Sequence, residues 1–456
     1  MGISLNLVWG DNQTDTISPI LPSNLPFRIK IEFADFSLPM GVHSYASAIH
    51  EGKYLIIAGR ISGAHPFNGN FPPTGQNTFV FVVDPKHGSV AYRSLADGSS
   101  GLTQAQIDLL SVTSPQSFQS GNTLYICGGY GIDTASGQFN TKNSLTAVDI
   151  PGLIHWVTRP RKKEKASSYI RQTFHPLLQV AGGYMDQINQ HLPVLLVFGQ
   201  NFTGSDFNIN GIYSEQVRRF RIIDNGRDLY IKPEASHAPD PNFHRRDLNV
   251  VPVIRKRPTS FEPGLIALSG LFTQTQFTPQ AWTVPVEISK EGHAFMPDPN
   301  NPLTFKQGMN NYVCANLGLY SKKHDLMYLV LMGGISYGYF DSMGFEVDAF
   351  LGYINQVTTI QIDKNNFYQQ FIMPDEYPTI LNPMMSDFLR FGAGARFFPS
   401  SHMPLFENGV IQLDKLDSKP VLLGYIVGGI VSPAQDLLFD TTSASAYIFK
   451  VIYEPL

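Results

Sequence analysis

Few side chains in this sequence are spaced for chemistry. The segment Asp206-Phe-Asn208-Ile-Asn210-Gly211 sets side-chain oxygens at alternate positions ahead of a glycine, which is the first half of a calcium loop. The second half departs from it: Ser214 stands at the ninth position, and Val217 stands where a bidentate Glu belongs. Asp206, Asn208 and Asn210 are therefore a weak calcium candidate beside the plainer reading of an Asx-rich turn. The run Arg159-Pro-Arg-Lys-Lys-Glu-Lys165 offers a nuclear signal or an anionic contact, though a solvated loop is the commonest fate of such a run. The 12 histidines lack metal spacing, and no phosphate loop, nucleophile elbow or paired-carboxylate signature is present. No cofactor beyond that calcium candidate is expected.

The bulk numbers narrow the setting. The chain has 456 residues, 43% hydrophobic but only 15% charged, so a large core is affordable and disorder is disfavoured. A net charge of −4 gives no basic field to recruit nucleic acid. Cys127 and Cys314 are too few for a disulfide framework, and no secretory leader or membrane-length apolar run is seen. A cytoplasmic or otherwise intracellular protein is expected, binding neither membrane nor nucleic acid. High Gly, Pro, Phe and Tyr counts point to many short strands joined by tight turns.

Those strands recur. Short apolar runs end in glycine at Gly59, Gly129, Gly199, Gly270, Gly334 and Gly429, spaced 70, 70, 71, 64 and 95 residues apart. A turn precedes most copies, as in Glu51-Gly52 and Ser120-Gly121-Asn122, and another apolar stretch precedes the turn. Downstream lies a β-rich run often closed by Asp, such as Thr78–Asp84 or Ser144–Asp149, and then a further strand. Each unit thus reads as four antiparallel strands, A to D, and six such units predict an all-β, six-bladed β-propeller in one domain over 1–456. The blades are placed at about 40–95, 114–158, 174–232, 248–296, 310–373 and 396–456. The last unit lacks a D strand, and the alternating segment Phe27–Phe33 is expected to supply it and close the ring. A short helix capped by Thr103 is expected over Thr103–Leu110.

The order of turn, apolar strand, Gly-Gly, loop and strand ending near Asp resembles the Kelch repeat from about residue 40 onward. The match is degenerate: paired glycines stand only at Gly128-Gly129, Gly333-Gly334 and Gly428-Gly429, and Trp156 is the one survivor of the D-strand tryptophans. The resemblance implies ligands held over the central channel by residues that start the A strands or follow the B-strand glycines. Here those are His43, Ser44, Arg60, Ser117, Tyr130, Arg171, Asn201, Arg246, Asn311 and Tyr337. Strand direction puts the A–B and C–D turns on one face of the disc, and the long, aromatic, mildly acidic B–C and D–A loops on the other. The function expected is a non-enzymatic interaction propeller, holding a protein segment or small molecule on that long-loop face. The alternative is a propeller enzyme, sugar isomerase or lyase-like, at the channel mouth.

Overall fold

The computed structural model describes residues 17–65, 71–160, 163–203, 211–256, 260–271, 273, 281–382, 387–435 and 441–456. The glycine-ended runs are the second strands of successive antiparallel sheets. Unit 1 comprises Ala46–His50, Lys53–Ile57, Phe79–Asp84 and Ser89–Ser94. Unit 2 comprises Gln116–Ser120, Thr123–Cys127, Ser144–Asp149 and Ile170–Phe174; unit 3 comprises Tyr184–Asp186, Val194–Val197, Val217–Asp224 and Leu229–Glu234. Unit 4 is Asn249–Lys256, Phe261–Leu268, Val286–Ser289 and Ala294–Phe295. The final sheet is Arg396–Pro399, Val421–Val427, Ile448–Pro455 and Phe27–Phe33. Its outer strand is the N-terminal one, paired antiparallel from Phe27 opposite Pro455 to Phe33 opposite Phe449, as expected.

The expectation of uniform four-stranded blades is corrected. Five sheets have that form, whereas unit 5, the sheet of Ala315–Ser321, Leu326–Asp341, Gly344–Ile362 and Tyr368–Glu376, has six strands. Ile20–Pro22 joins its outer edge in parallel, and Ile411–Gln412 joins its inner edge in parallel at Leu319 and Tyr320. Two chain segments remote in sequence thus cover strand edges that would otherwise stand open.

The sheets are buried on both faces, which explains why their second strands are continuous apolar runs. In unit 4, Leu265 and Ala267 pack against unit 3, while Ile266 and Leu268 pack against unit 5. Units 1 and 2 share a core around Leu55, Ile57, Leu124 and Ile126, and units 2 and 3 share one around Tyr125, Leu145, Leu196 and Phe220. The six-stranded unit packs on the last sheet through Val330, Phe371, Phe27 and Phe449. That sheet packs on unit 1 through Tyr425, Val427, Tyr54 and Ile56, so the sequence of interfaces returns to its start. This is a β-propeller.

The B-strand glycines hold the units together. Gly59, Gly129, Gly199, Gly270, Gly334 and Gly429 all lie at φ between +87° and +106°. A Cβ on Gly59 would sit 2.4 Å from the His43 carbonyl oxygen, and one on Gly129 would sit 2.6 Å from Val112 Cγ2. The position before each is also left-handed, at φ between +52° and +65°, and there the pairing of glycines lapses: Ala58, Phe198 and Ser269 occupy it beside Gly128, Gly333 and Gly428. A non-glycine residue in that region costs about 1–2 kcal/mol. The degenerate repeats keep the glycine where space forbids a Cβ and tolerate strain where it does not.

Two expectations about the short-turn face are revised. The C–D connection of unit 2 is not a short turn but carries the helix Ile150–Thr158, whose Ile150, Leu153, Trp156 and Val157 fill the core between units 1 and 2. Trp156 is thus a helical core residue under the Arg93 guanidinium, 4.2 Å from its ring, and not a D-strand residue. In the last unit, segment 400–420 is an insertion between the A and B strands and reaches over units 4 and 5: Asn408 Nδ2 donates to Val253 O at 3.0 Å, and Ser321 Oγ donates to Asp414 at 2.6 Å. The expected helix after Thr103 is present over Gln104–Asp108, closed by a capping box with Gln106.

Two outcomes follow. Gly59→Ala lowers thermal stability by more than about 2 kcal/mol, whereas Ala58→Gly changes it by less than about 1 kcal/mol and toward greater stability. Unfolding curves of the two variants decide it; equal losses would remove the steric role assigned to Gly59.

Candidate functional site

The long-loop mouth of the channel is built on one repeated turn. The A strands are entered through a left-handed residue: Ser44, Ser114, Gly182, Asp247, Val313 and Gly394, at φ of 51°, 48°, 68°, 49°, 49° and 65°. Five of the six amides donate to the carbonyl of a neighbour: Ser44 to Gly394 (2.9 Å), Ser114 to Ser44 (3.0 Å), Gly182 to Ser114 (3.0 Å), Asp247 to Gly182 (2.7 Å) and Gly394 to Val313 (2.6 Å). Backbone hydrogen bonds therefore run around the channel from unit to unit. The residue before each ring position pairs with the residue after the B-strand glycine, as His43 does with Arg60 and Thr113 with Tyr130.

That geometry fixes Arg60 and His43 in place. Arg60 is buried; its Nη2 donates to Pro72 O at 2.7 Å, its Nε donates to Ser62 Oγ at 3.2 Å, and its guanidinium lies 4.1 Å from the Phe71 ring centre. Burial lowers its pKa to about 10. His43 Nε2 lies 3.0 Å from the Ser62 carbonyl, so it carries the proton, and Nδ1 accepts from Ser44 Oγ at 3.0 Å. Burial first, and the charge of Arg60 second, push the imidazole pKa down to about 4. Both side chains pin the start of the following loop onto the ring, through Ser62 and Pro72.

The other expected residues divide. Tyr130 is buried among Phe71, Phe139 and Phe202, in a cluster that packs loops of neighbouring units onto one another. Arg246 lies over Phe202 at 4.8 Å, with Asp247 at 3.1 Å. Asn311 is buried, donating to Gly333 O at 3.0 Å and accepting from Thr358 Oγ1 at 3.2 Å. Tyr337 is half-buried, its amide on Asn310 Oδ1. Asn201 lies in the small hairpin Gln200–Phe202 with Gly211–Tyr213, and its buried Oδ1 lacks a protein partner among the described residues. Ser117 lies beyond the ring on the A strand, its Oγ likewise without a partner. Arg171 is not at the mouth: it is on the D strand Ile170–Phe174, clamped to Asp224 of unit 3 at 2.7 and 2.8 Å, with Tyr125 on the same carboxylate. The helix inserted before that strand displaced it from the inner position its spacing suggested. Asp206, Asn208 and Asn210 lie outside the described residues, and among those described no three His, Cys, Asp or Glu gather as metal ligands.

One pair on this face went unread in the sequence. His244 Nδ1 meets Glu215 Oε1 at 2.5 Å, Tyr213 stacks on the imidazole at 3.7 Å, and Trp282 Nε1 donates to His244 O at 2.7 Å. Beneath it Arg245 is fully buried against the Trp282 ring at 4.4 Å, and burial alone lowers its pKa to about 9. Glu215 and His244 belong to different connections, 29 residues apart, and no local pattern joins them. The pair could relay a proton, but among the described residues no hydroxyl or thiol is bonded to the imidazole. Cys127 and Cys314 are buried, which pushes both thiols up to about 12 and leaves them unreactive.

The same face exposes apolar side chains. The B–C hairpin of the six-stranded sheet runs on past Gly334 to a turn after Asp341, with Met343 86% and Val347 47% exposed. Ile212, Leu303, Leu381 and Phe388 are exposed on other loops of that side. A groove of about 430 Å³, lined by Leu21, Asn24, His324, Tyr328 and Phe371 among others, lies away from this face, beside the N-terminal segment.

The folded His43 stays neutral down to about pH 4, while the unfolded imidazole protonates near its ordinary 6.5. Between those values the unfolded chain binds more protons, so stability falls as pH falls, by about 2 kcal/mol from pH 6.5 to 5 for this group. In His43→Gln that part of the slope disappears; an unchanged slope in pH-dependent unfolding would refute the assignment.

No family model and no curated protein matches the chain. Among solved structures, the one titled "Structure of YjhT" aligns over 92% of this chain and 98% of its own, at 11% identity and a TM-score of 0.46. No helix among the described residues is long and apolar enough to cross a membrane.

Proposed function

We propose that this chain is a non-enzymatic, Kelch-type interaction propeller, with the six-stranded sheet counted as a sixth blade, and that its long-loop face holds an extended protein segment. One observation carries the reading. Arg60, His43 and Asn311 at the channel mouth are already bound into the fold, while the loops around them raise exposed apolar side chains on a projecting hairpin. Clusters of exposed apolar residues on an otherwise polar face favour protein partners. The interlocked aromatics Phe71, Tyr130, Phe139 and Phe202 supply a rigid floor, which limits the entropy lost on binding. The calcium role of the 206–211 loop stays a subsidiary possibility tested by calcium titration.

A peptide library panned against the full chain tests it. Met343→Glu and Leu303→Glu reduce capture of the selected peptides by about tenfold or more, while Phe367→Ala, on the opposite face, leaves it unchanged. Selected peptides insensitive to both loop-face variants would overturn the proposal. A second reading, a sugar isomerase or lyase-like enzyme at the mouth, is favoured only by the Glu215–His244 pair. It requires turnover in a sugar panel that His244→Gln abolishes.

A further inference from the structure

The groove beside the N-terminal segment measures about 430 Å³, within the roughly 300–1,000 Å³ of small-molecule sites. One wall is the short-turn end of unit 5. Tyr328 on its B strand stands opposite Gln361 on the C strand, and Gln361 stands opposite Gln369 on the D strand. Cross-strand partners point to the same face, so the three form one row about 10 Å across. The next row inward is Val330, Thr359 and Phe371, of which Val330 and Phe371 belong to the core shared with the last sheet. The groove therefore opens where that core ends and the two sheets part. Its other wall is the connection 23–26, which leads the chain from the edge of unit 5 to Phe27 and brings Asn24, Leu25 and Pro26.

The fold makes no use of the polar groups in this groove. Among the described residues, the side-chain amides of Asn24, Gln361 and Gln369 and the Tyr328 hydroxyl make no hydrogen bond. Tyr328 is only 2% exposed, with its ring edge-on to Phe27 at 5.1 Å, and a tyrosine so buried ordinarily finds a partner. The contrast with Gln370 is direct: on the other face of the same strand it commits both ends of its amide, to the Gly308 amide and to Met309 O. No Asp, Glu, Lys or Arg lines the groove, and only His324, exposed at its rim, is ionisable near neutral pH. The rest of the surface is mainly aliphatic, from Leu21, Leu25, Pro26 and Leu326. An acid or an amine would give up water here and gain no counter-charge. A planar base would want a ring face to stack on, yet Tyr328 and Phe371 are both covered by the protein.

We propose that this groove binds a neutral sugar of one or two rings. Amide and phenol groups together donate and accept, as sugar hydroxyls do, so Tyr328, Gln361 and Gln369 serve successive hydroxyls along the row and Asn24 serves one from the facing wall. The C–H surfaces of the sugar rest on the leucines and on Pro26. The ligand takes the place of water on groups that the fold leaves unused, so binding breaks no internal hydrogen bond. The site lies on the short-turn side and is independent of whatever the long-loop face or the channel mouth holds.

The test is isothermal titration of the full chain at neutral pH with D-glucose, D-galactose, N-acetylglucosamine and maltose, beside glucuronate, glucosamine and adenine. At least one neutral sugar binds saturably at millimolar concentration or below, and the two charged sugars and adenine bind more weakly than it does. Gln361→Leu, Gln369→Leu and Tyr328→Phe each weaken that binding by about fivefold or more. All three keep at least the wild-type unfolding temperature, because the groups removed make no bond within the fold, so lost affinity is not lost structure. His244→Gln and Met343→Glu leave the affinity unchanged, which separates this site from both readings of the long-loop face. No saturable binding by any of the neutral sugars, equal or tighter binding of glucuronate, glucosamine or adenine, full affinity in the Gln361 and Gln369 variants, or loss of affinity in His244→Gln would each overturn the proposal.

Discussion

The structure depends on the chain of backbone hydrogen bonds that passes from one unit to the next around the channel. Its donors and acceptors belong to residues in the left-handed region, because only that turn aims the amide at one neighbouring unit and the carbonyl at the other. Val313 is β-branched and still adopts it, a conformation that residue type seldom takes alone. Such strain persists only where the surroundings over-determine it. Here they do: the ring residues are followed by inner strands packed between two sheets, and five of the six B-strand glycines add a second bond to the next unit, as Gly59 does to Val112 O at 2.7 Å.

This constraint shapes what the channel can do. A mouth ringed by backbone and by locked side chains such as Arg60, His43 and Asn311 is a rigid floor with little acid–base freedom. The variable chemistry moves outward to the loops, where Met343 and Leu303 are exposed.

Much of the architecture was legible in the residues because it follows from local rules. A glycine at each B-strand end was readable from spacing, since no other residue fits φ near +90° against a facing strand. Closure by Phe27–Phe33 was readable from alternation and from the missing outer strand, and the helix after Thr103 from its cap. The candidate positions next to the glycines were also placed on the ring by register. Their roles were not legible, because whether Arg60 faces a ligand or Pro72 O depends on how the 60–77 loop folds back.

The sequence by itself determined the repeating strand order, the positions that must be glycine and the strand that closes the disc, all of which are set by backbone sterics and period-two burial. Tertiary structure alone decided the rest. It put Trp156 on a helix, moved Arg171 to the rim on Asp224, and joined Glu215 to His244. It also built a six-stranded sheet from segments at both ends of the chain. Each of these is a pairing between groups distant in sequence, chosen by packing and edge covering, and no local pattern encodes such a choice.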